Sequence, residues 1–162
     1  MAAAGFDEIA DLAFRRSGQT LRDTQSYLME ARLAPILRRE SFSDLSELAA
    51  CLKARPNPVF EDEIAAALTN KQTRFFDERQ MLSRIVTDLV PRAVAEKKAG
   101  ERVRILSVGG STGQEAYSLA ILMHEAEFID GVECRADLVS IDICKASTTR
   151  ARAGVFSHFE IQ

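Results

Sequence analysis

Residues 103–118 read VRILSVGGSTGQEAYS, and this stretch decides the fold. The run from Val103 to Val108 is apolar and rich in branched side chains, which predicts a β-strand. An apolar-periodic stretch from about 114 to 127 predicts a helix after it. The turn between them contains three glycines, Gly109, Gly110 and Gly113. Glycine suits a sharp turn of this kind because it permits unusual backbone angles and leaves the backbone open to a ligand.

A second strand is predicted downstream, at 138–143, and a helix of small residues is predicted near 145–153. Asp142 stands near the end of that strand. A carboxylate at such a place can accept hydrogen bonds from both hydroxyls of a ribose. Strand, glycine turn, helix and acid-ended strand together predict the opening of a doubly wound, Rossmann-like α/β sheet that binds a nucleoside.

The glycine spacing differs from that of two common phosphate-binding motifs. It is G-x-x-x-G from Gly109 to Gly113, not G-x-G-x-x-G, and the chain has no G-K-[S/T] sequence after it. The wider loop suits a ligand without phosphate, such as the methionine part of S-adenosylmethionine (SAM). Two alternatives stay open: a tight connection that binds nothing, and an Asp142 that only caps the next helix.

Residues 1 to about 100 have the pattern of helices. Apolar residues recur every three to four positions at 6–14, 28–37 and 45–52, and a shorter helix is predicted at 60–68. Ser43 and Glu47 match a capping box only approximately, one residue out of step. A longer helix is predicted at 78–98, with Gly100 as its terminator.

These patterns divide the chain into three parts. They are a small all-α domain (1–72), a linking segment with a helix (73–100) and the first βαβα part of the cofactor-binding domain (101–162). A doubly wound sheet usually has about five or more strands, but only two are predicted here. The sequence is therefore interpreted as a fragment, or as a chain whose sheet is completed by self-association.

Bulk properties exclude several classes of protein. The net charge of −3 gives no basic field for nucleic acid, and no apolar run is long enough to insert in a membrane. The N-terminus does not resemble a signal peptide, and the odd number of cysteines, Cys51, Cys134 and Cys144, favours a reducing cytoplasm. His124 and His158 lack the spacing of metal ligands, so no metal site is predicted.

Four segments resemble those of CheR-type chemotaxis receptor glutamate O-methyltransferases. Residues 107–118, SVGGSTGQEAYS, resemble the family's SAM loop, S-A-x-x-S-T-G-E-E-P-Y-S. Residues 69–76, TNKQTRFF, resemble its T-x-N-x-T-x-F-F segment. Residues 141–143, IDI, and 151–156, ARAGVF, resemble its D-I-D and A-R-x-G-x-Y segments. The resemblance runs in order along nearly the whole chain and corresponds to the N-terminal portion of the family.

This resemblance implies an enzyme that transfers the methyl group of SAM to glutamate side chains of chemotaxis receptors, leaving methyl esters and S-adenosylhomocysteine. It implies that Thr73 lies near the cofactor, Glu115 on the SAM amino group and Asp142 on the ribose. The full predicted cofactor set is Lys71, Thr73, Asp77, Gly109, Gly110, Ser111, Gly113, Glu115 and Asp142.

The chain departs from the family pattern at several places. Lys71 stands where the family usually has Asn, and Asp77 where it has an Arg near the reacting groups. Arg74 and Arg79 are the candidates to replace that Arg. The remaining departures are Gln114, Ala116 and Cys144, the last in place of the second Asp of D-I-D. The alternative function is therefore a catalytically impaired module that binds SAM or a receptor.

An excess of arginines marks the N-terminal helices. The predicted receptor-binding residues are Arg15, Arg16, Arg32, Arg38 and Arg39. Arginine pairs with carboxylates through two parallel hydrogen bonds, so these residues suit acidic helices of a receptor's cytoplasmic part. The competing interpretation is a solvated helix face with no partner.

Overall fold

The computed structural model describes residues 4–98, 100–129 and 135–161, and Cys134 lies outside them. The chain divides into two compact units, which we call the helical unit (Met1–Asn70) and the sheet unit (Lys71–Gln162). In its described part the helical unit contains helices but no strand, and the sheet unit contains helices and a parallel sheet. A small all-α domain is thus followed by a mixed α/β domain, as the sequence predicts.

Four α-helices, with a 3₁₀ turn at Asp23–Gln25, form the described part of the helical unit. They are α1 (Phe6–Ser17), α2 (Ser26–Glu40), α3 (Leu45–Ala54) and α4 (Pro58–Leu68). Their apolar faces meet in one core, whose buried side chains are Phe6, Ile9, Leu12, Ala13, Met29, Leu33, Ile36, Leu45, Leu48, Ala49, Ile64 and Leu68. Every predicted helix of this unit is present because its apolar period matches the buried face.

The starts of α3 and α4 show how side chains set helix boundaries. Asp44, rather than Ser43, caps α3, and its side chain accepts from the backbone N–H of Glu47 at 2.9 Å. Glu47 accepts from the backbone N–H of Ser43 at 2.8 Å, one residue before the cap, so the two residues are linked without forming a reciprocal capping box. Asn57 caps α4, and Pro58 occupies the first helical turn, where a missing N–H costs nothing.

The predicted helix at 78–98 is shorter and less regular than expected. It consists of α5 (Arg79–Arg84), a π-helical turn (Ile85–Leu89) and α6 (Val90–Ala95), so it ends before Gly100. Pro91 lies two residues after the π-helical turn and has no backbone N–H to continue the α-helical bonding. The proline therefore accounts for a break in the hydrogen-bonding pattern that apolar periodicity does not reveal.

The sheet unit continues with β1 (Val103–Val108), α7 (Gln114–Glu125), β2 (Ala136–Ile141) and α8 (Lys145–Ala153), and a 3₁₀ turn at His158–Glu160 follows. The two strands are parallel and paired in register from Val103–Ala136 to Val108–Ile141. The predicted second strand is two residues too late, so Asp142 follows the strand and begins the turn into α8. None of the described helices is long and apolar enough to cross a membrane.

The two faces of the sheet differ. On one face, Val103 and Ala136 are buried against α7 and the helix that precedes β1. The opposite face carries four exposed apolar side chains, Leu106, Val108, Val139 and Ile141, which we call the open sheet face. The register pairs them two by two, and no described residue covers them.

Candidate functional site

The glycine loop, residues 109–113, lies at the carboxyl ends of both strands. The backbone N–H groups of Gly109 and Gly110 donate to the carbonyl oxygen of Ile141 at 2.9 and 3.0 Å. The N–H of Ser111 donates to Oδ2 of Asp142 at 2.8 Å, and that of Gly113 donates to the carbonyl of Gly110 at 2.9 Å. These four amides are used within the protein, so the loop is built differently from a phosphate cradle, whose amides point at the ligand.

Asp142 connects the glycine loop to the start of α8. Its Oδ2 accepts from the Ser111 N–H, and its Oδ1 accepts from the Cys144 N–H at 2.7 Å. Cys144, not Asp142, occupies the cap position of α8. Both carboxylate oxygens are therefore fixed in direction, and each keeps a second acceptor position that can serve a ribose hydroxyl.

The three glycines of the loop are required for different reasons. Gly109 has a φ of +76°, and nothing lies within 4 Å of the place where a Cβ would sit. A Cβ on Gly110 would lie 1.8 Å from Oγ of Ser140, and one on Gly113 would press on the ring of Tyr117 at 3.2 Å. Only Gly109 leaves its backbone open to an approaching ligand, and the other two permit close packing.

Segment 71–76 is hydrogen-bonded to the loop and its helix at two points. The hydroxyl of Ser111 donates to the carbonyl of Lys71 at 2.9 Å, and the backbone N–H of Phe76 donates to Oγ of Ser118 at 2.8 Å. Ser111 and Ser118 are both buried, and Thr73 lies half-buried between the two attachment points. The structure thus brings the T-x-F-F segment and the glycine loop together.

Two cavities border the glycine loop. The first, of about 630 Å³, we call the side cavity, and its lining is Lys71, Gln72, Thr73, Arg74, Thr112, Gln114, Arg150, Phe159 and Glu160. The second, of about 710 Å³, touches Ser111, Gly113 and Asp142 and runs between β2 and the helices α7 and α8. Residues of the predicted cofactor set line both, so the loop separates two accessible spaces.

An aromatic cluster supports the loop from below. Phe156 meets Phe75 edge to face at 4.9 Å and Tyr117 at 5.5 Å between ring centroids. The hydroxyl of Tyr117 donates to the carbonyl of Ala151 at 2.8 Å. Phe75 therefore packs inside the unit, whereas Phe76 lies under the guanidinium of Arg79 at 5.7 Å.

Other predicted site residues are less enclosed. Glu115 is exposed and accepts from the hydroxyl of Ser107 at 3.1 Å. Asp77 is exposed in a turn between Phe76 and Glu78, whose φ values of 54° and 52° are both left-handed. Arg74 lines the side cavity with Thr73, whereas Arg79 is held on Phe76. Of the two arginines, Arg74 is the one placed beside predicted cofactor residues.

Sequence reasoning missed the buried polar residues under the loop. Gln114 and Ser118 are each at most 4% exposed, and the hydroxyl of Ser118 donates to the Gln114 carbonyl at 2.7 Å. Gln114 also accepts, through Oε1, from the hydroxyl of Thr112 at 2.7 Å. The signal for Ser118 was available, because it is the last residue of the matching loop motif.

Two family models match consecutive parts of the chain. The CheR methyltransferase all-alpha domain matches residues 4–69, and the CheR methyltransferase SAM-binding domain matches residues 71–162. This chain belongs to the CheR methyltransferase family. The boundary between the two matched domains falls where the helical unit gives way to the sheet unit.

Curated relatives cover the chain almost completely. Chemotaxis protein methyltransferase Cher2 of Pseudomonas putida is 22% identical over 158 residues, which is 96% of this chain and 57% of the relative. The enzyme of Vibrio parahaemolyticus is 26% identical over 145 residues (89% and 52%), and chemotaxis protein methyltransferase 2 of Pseudomonas aeruginosa is 28% identical over 151 residues (93% and 51%). The chain spans about half the length of the curated relatives it matches.

The methyl donor of the CheR SAM-binding domain is SAM, and the loop of this chain fits such a group. SAM carries no phosphate, and the four amides at Gly109, Gly110, Ser111 and Gly113 are already used. The backbone is open at Gly109, and the Asp142 carboxylate is held beside the loop with acceptor positions to spare. The loop therefore suits a nucleoside without phosphate better than a nucleotide.

Three of the five predicted receptor-binding arginines have partners inside the helical unit. Arg16 pairs with Glu61 at 2.5 Å and Arg39 with Glu63 at 2.6 Å, and Arg32 donates to the Leu68 carbonyl at 2.5 Å. The remaining two, Arg15 and Arg38, are exposed and make no ion pair with any described residue. The acids of α4 thus neutralise much of the charge excess that the sequence of α1 and α2 suggests.

Proposed function

We propose that this chain supplies the cofactor loop and the receptor-facing helices of a SAM-dependent methyltransferase that converts glutamate side chains of chemotaxis receptors into methyl esters. One observation carries the cofactor half of this proposal. Asp142 is held by the Ser111 and Cys144 amides beside a loop whose backbone is open at Gly109. The glutamate half rests on family membership and on the names of the relatives, which are chemotaxis protein methyltransferases.

For methyl transfer to a carboxylate, the protein must align the methyl donor with the acceptor, but it need not supply a general base. When bound, SAM supplies an electrophilic methyl group on a sulfonium. A glutamate acceptor has an ordinary pKa of about 4.3 and is ionised at neutral pH, so no side chain need remove a proton. The residues around the loop would hold the two partners in line and exclude water.

Arg74 is the residue we propose in the place of the family's missing Arg. It lines the side cavity with Thr73, which belongs to segment 71–76, and with Gln114, whose Oε1 accepts from the hydroxyl of Thr112 in the loop. A guanidinium at this cavity can attract an acceptor carboxylate. Arg79 is less suited because its guanidinium lies on the ring of Phe76.

A second candidate function is a CheR-like module that binds SAM or a receptor without turnover. It is favoured by Asp77, which is exposed and carries the charge opposite to that of the family's Arg. Asp77→Arg separates the two functions: a gain of activity in this variant would mark the natural chain as impaired.

Methyl transfer from labelled SAM to receptor glutamates tests the enzyme directly. Base-labile release of labelled methanol identifies the methyl ester. We expect Arg74→Met to lower turnover at least tenfold, about the effect of one lost charged hydrogen bond, and Arg79→Met to leave it within about twofold. SAM binding without any transfer, by the natural chain and by Asp77→Arg, would support the binding module.

The receptor is proposed to dock on the helical unit through arginines that the unit leaves unpaired. Charges at the edge of an interface raise association rates and make binding salt-dependent. Arg15→Ala with Arg38→Ala should weaken capture of the receptor's cytoplasmic helices and flatten its salt dependence. Arg92→Ala in the sheet unit is the control; an equal effect there would argue against this docking face. A cytoplasmic location follows from this partner. Self-association, in which the sheet of a second copy extends the sheet of the first, is the alternative partnership that we propose.

A further inference from the structure

The side cavity is positively charged, although the chain as a whole has a net charge of −3. Its lining among the described residues contains three cations, Lys71, Arg74 and Arg150, and one acid, Glu160. Glu160 is already used, because one of its carboxylate oxygens accepts from Arg150 at 2.5 Å and the other from the Ser157 hydroxyl at 2.8 Å. The lining therefore offers Lys71 and Arg74 no carboxylate of its own, and their two positive charges border the cavity.

A buried amide borders the same cavity. Gln114 lines it, is only 4% exposed, and accepts through Oε1 from the Thr112 hydroxyl at 2.7 Å. Its Nε2 group has no hydrogen-bond partner among the residues that the structure describes, whereas every fully enclosed side-chain nitrogen or oxygen there has one. Nε2 is therefore in contact with open space, and the side cavity is the space that Gln114 borders. A nearly buried amide donor is costly to leave without an acceptor, so this group indicates a ligand.

The start of α7 adds to the positive character of the cavity. Gln114 is the first residue of this twelve-residue helix. The N-terminus of a helix carries a partial positive charge from the amides of its first turn. Glu115, the acid of that turn, does not line the side cavity and is bonded to the Ser107 hydroxyl instead. Two cations, an amide donor and a helix end thus surround one space, which suits an anion.

Two departures from the family motifs lie in this lining. Lys71 stands at the Asn of T-x-N-x-T-x-F-F, and Gln114 stands at the first Glu of S-T-G-E-E-P-Y-S. The first departure adds a positive charge to the cavity, and the second removes a carboxylate that would repel an anion. Both changes favour the same kind of ligand.

We propose that the side cavity is a carboxylate-binding subsite, in which Lys71 and the Nε2 group of Gln114 hold a carboxylate group beside Thr73. The inference rests on the proposed function, whose two reactants both carry such a group. SAM has one on its methionine part, and the acceptor is itself a glutamate side chain. Neither reactant carries phosphate, and a carboxylate can pair with the ammonium while it accepts from the amide.

Glutarate tests the subsite by itself, because it carries the carboxylate of a glutamate side chain. Titrated calorimetrically into the full chain without cofactor, it should bind saturably. Lys71→Met should weaken glutarate binding at least tenfold, the loss expected of one charged hydrogen bond. Gln114→Glu should weaken it at least tenfold as well, because it replaces a donor by a group that repels the ligand. Lys71 is exposed, so the Lys71→Met result stands even where the buried position 114 does not tolerate an acid.

Lys97→Met is the matched control. It removes the same charge from an exposed lysine of the sheet unit that lines neither cavity beside the glycine loop. Glutarate affinity in this variant should stay within about twofold of that of the natural chain. Three results would overturn the proposal: no saturable binding by the natural chain, unchanged affinity in Lys71→Met, or equal losses in Lys71→Met and Lys97→Met.

A second titration distinguishes the two sources of the carboxylate. S-adenosylhomocysteine carries the methionine carboxylate of SAM. At saturation it should abolish glutarate binding where the subsite serves SAM, and leave it unchanged where the subsite serves the acceptor. In the first case, decarboxylated SAM should bind the natural chain at least tenfold more weakly than SAM does, and Lys71→Met should lose this difference. In the second case, Lys71→Met should raise the KM for the receptor and leave SAM affinity unchanged.

The glutarate titration does not depend on methyl transfer, so the two proposals fail separately. A chain that binds glutarate through Lys71 but transfers no methyl group keeps the subsite and overturns the enzyme. A chain that methylates receptor glutamates but whose glutarate affinity is the same in Lys71→Met keeps the enzyme and overturns the subsite.

Discussion

The two units of this chain bury different kinds of side chain. Among the described residues of the helical unit, every buried residue is hydrophobic. The sheet unit also buries four polar residues, which are Ser111, Gln114, Ser118 and Ser147. All of them lie in the glycine loop or in the helices that begin beside it, and every buried side-chain nitrogen or oxygen among the described residues has a hydrogen-bond partner.

This difference indicates what each interior is for. An apolar core gives stability without specifying the direction of any group. Buried, fully bonded polar groups are costly to assemble, but they hold neighbouring groups in fixed directions. The polar interior of the sheet unit lies where Asp142 and segment 71–76 must be oriented, and the helical unit has no such demand on its core.

The largest effect is expected from a cavity in the apolar core. Leu33 of α2 is fully buried, so Leu33→Ala should lower the free energy of unfolding of the helical unit by about 2–5 kcal/mol. Denaturant melts followed by circular dichroism measure it. SAM affinity at a temperature where the variant is folded should stay unchanged, because Leu33 belongs to the other unit.

Tyr27 provides the control on the same helix. It is 71% exposed, so Tyr27→Ala should change the free energy of unfolding by less than about 0.5 kcal/mol. Two results would contradict this comparison. One is an equal loss in the free energy of unfolding for Leu33→Ala and Tyr27→Ala. The other is a loss of SAM affinity in Leu33→Ala, which would show that the core of the helical unit also affects the SAM site.

The next effect tests the polar interior of the sheet unit. Asp142→Asn keeps the shape but replaces one acceptor oxygen by an NH₂ group, which then faces the N–H of Ser111 or of Cys144. SAM binding should weaken by about 10- to 100-fold, as for a lost charged hydrogen bond. Calorimetry measures the SAM affinity, with Asp88→Asn as the matched control, because Asp88 pairs with Arg84 and accepts from the Thr87 hydroxyl, away from the glycine loop. Equal SAM affinities for Asp142→Asn and Asp88→Asn would show that Asp142 takes no part in binding SAM.

Apolar periodicity and loop motifs made much of this fold predictable. The helices of the helical unit and the strand before the loop follow from patterns that depend only on nearby residues. The pairing of the T-x-F-F segment with the glycine loop came from a family resemblance, because no local pattern reports a contact between residues 76 and 118. The second strand was placed two residues late since its first residues, Ala136 and Asp137, do not look like a strand.

Other features depend on contacts that the sequence does not display. Arg16 and Arg39 look like free charge in the sequence, but Glu61 and Glu63 arrive from another helix to pair with them. Apolar periodicity predicts which face of a helix is buried, but it does not predict which charged residues of different helices form ion pairs.

A smaller effect compares glycines with left-handed backbones in the two units. Gly113 has a φ of +99° and Tyr117 and Ala151 around its Cβ position, whereas Gly18 has a φ of +72° and open space. Gly18→Ala should cost about 1 kcal/mol from backbone strain alone. Gly113→Ala should cost about 2–3 kcal/mol and weaken SAM binding as well, because its Cβ also displaces the ring under the loop. Equal losses in the free energy of unfolding for Gly18→Ala and Gly113→Ala would show that the Tyr117 ring moves aside at no cost.

The smallest effect is expected on the open sheet face, where apolar side chains are exposed rather than buried. Val139 is 51% exposed, so Val139→Thr should change the free energy of unfolding by less than about 0.5 kcal/mol. Val103 lies on the buried face of the neighbouring strand, and Val103→Thr should cost more, because its hydroxyl would enter an apolar core. Both variants are measured by denaturant melts, with sedimentation to follow the oligomeric state. A large, concentration-dependent loss in the free energy of unfolding for Val139→Thr would mean that a second copy covers the open sheet face. The contrast between the buried and the open face of the sheet would then hold only for the isolated chain.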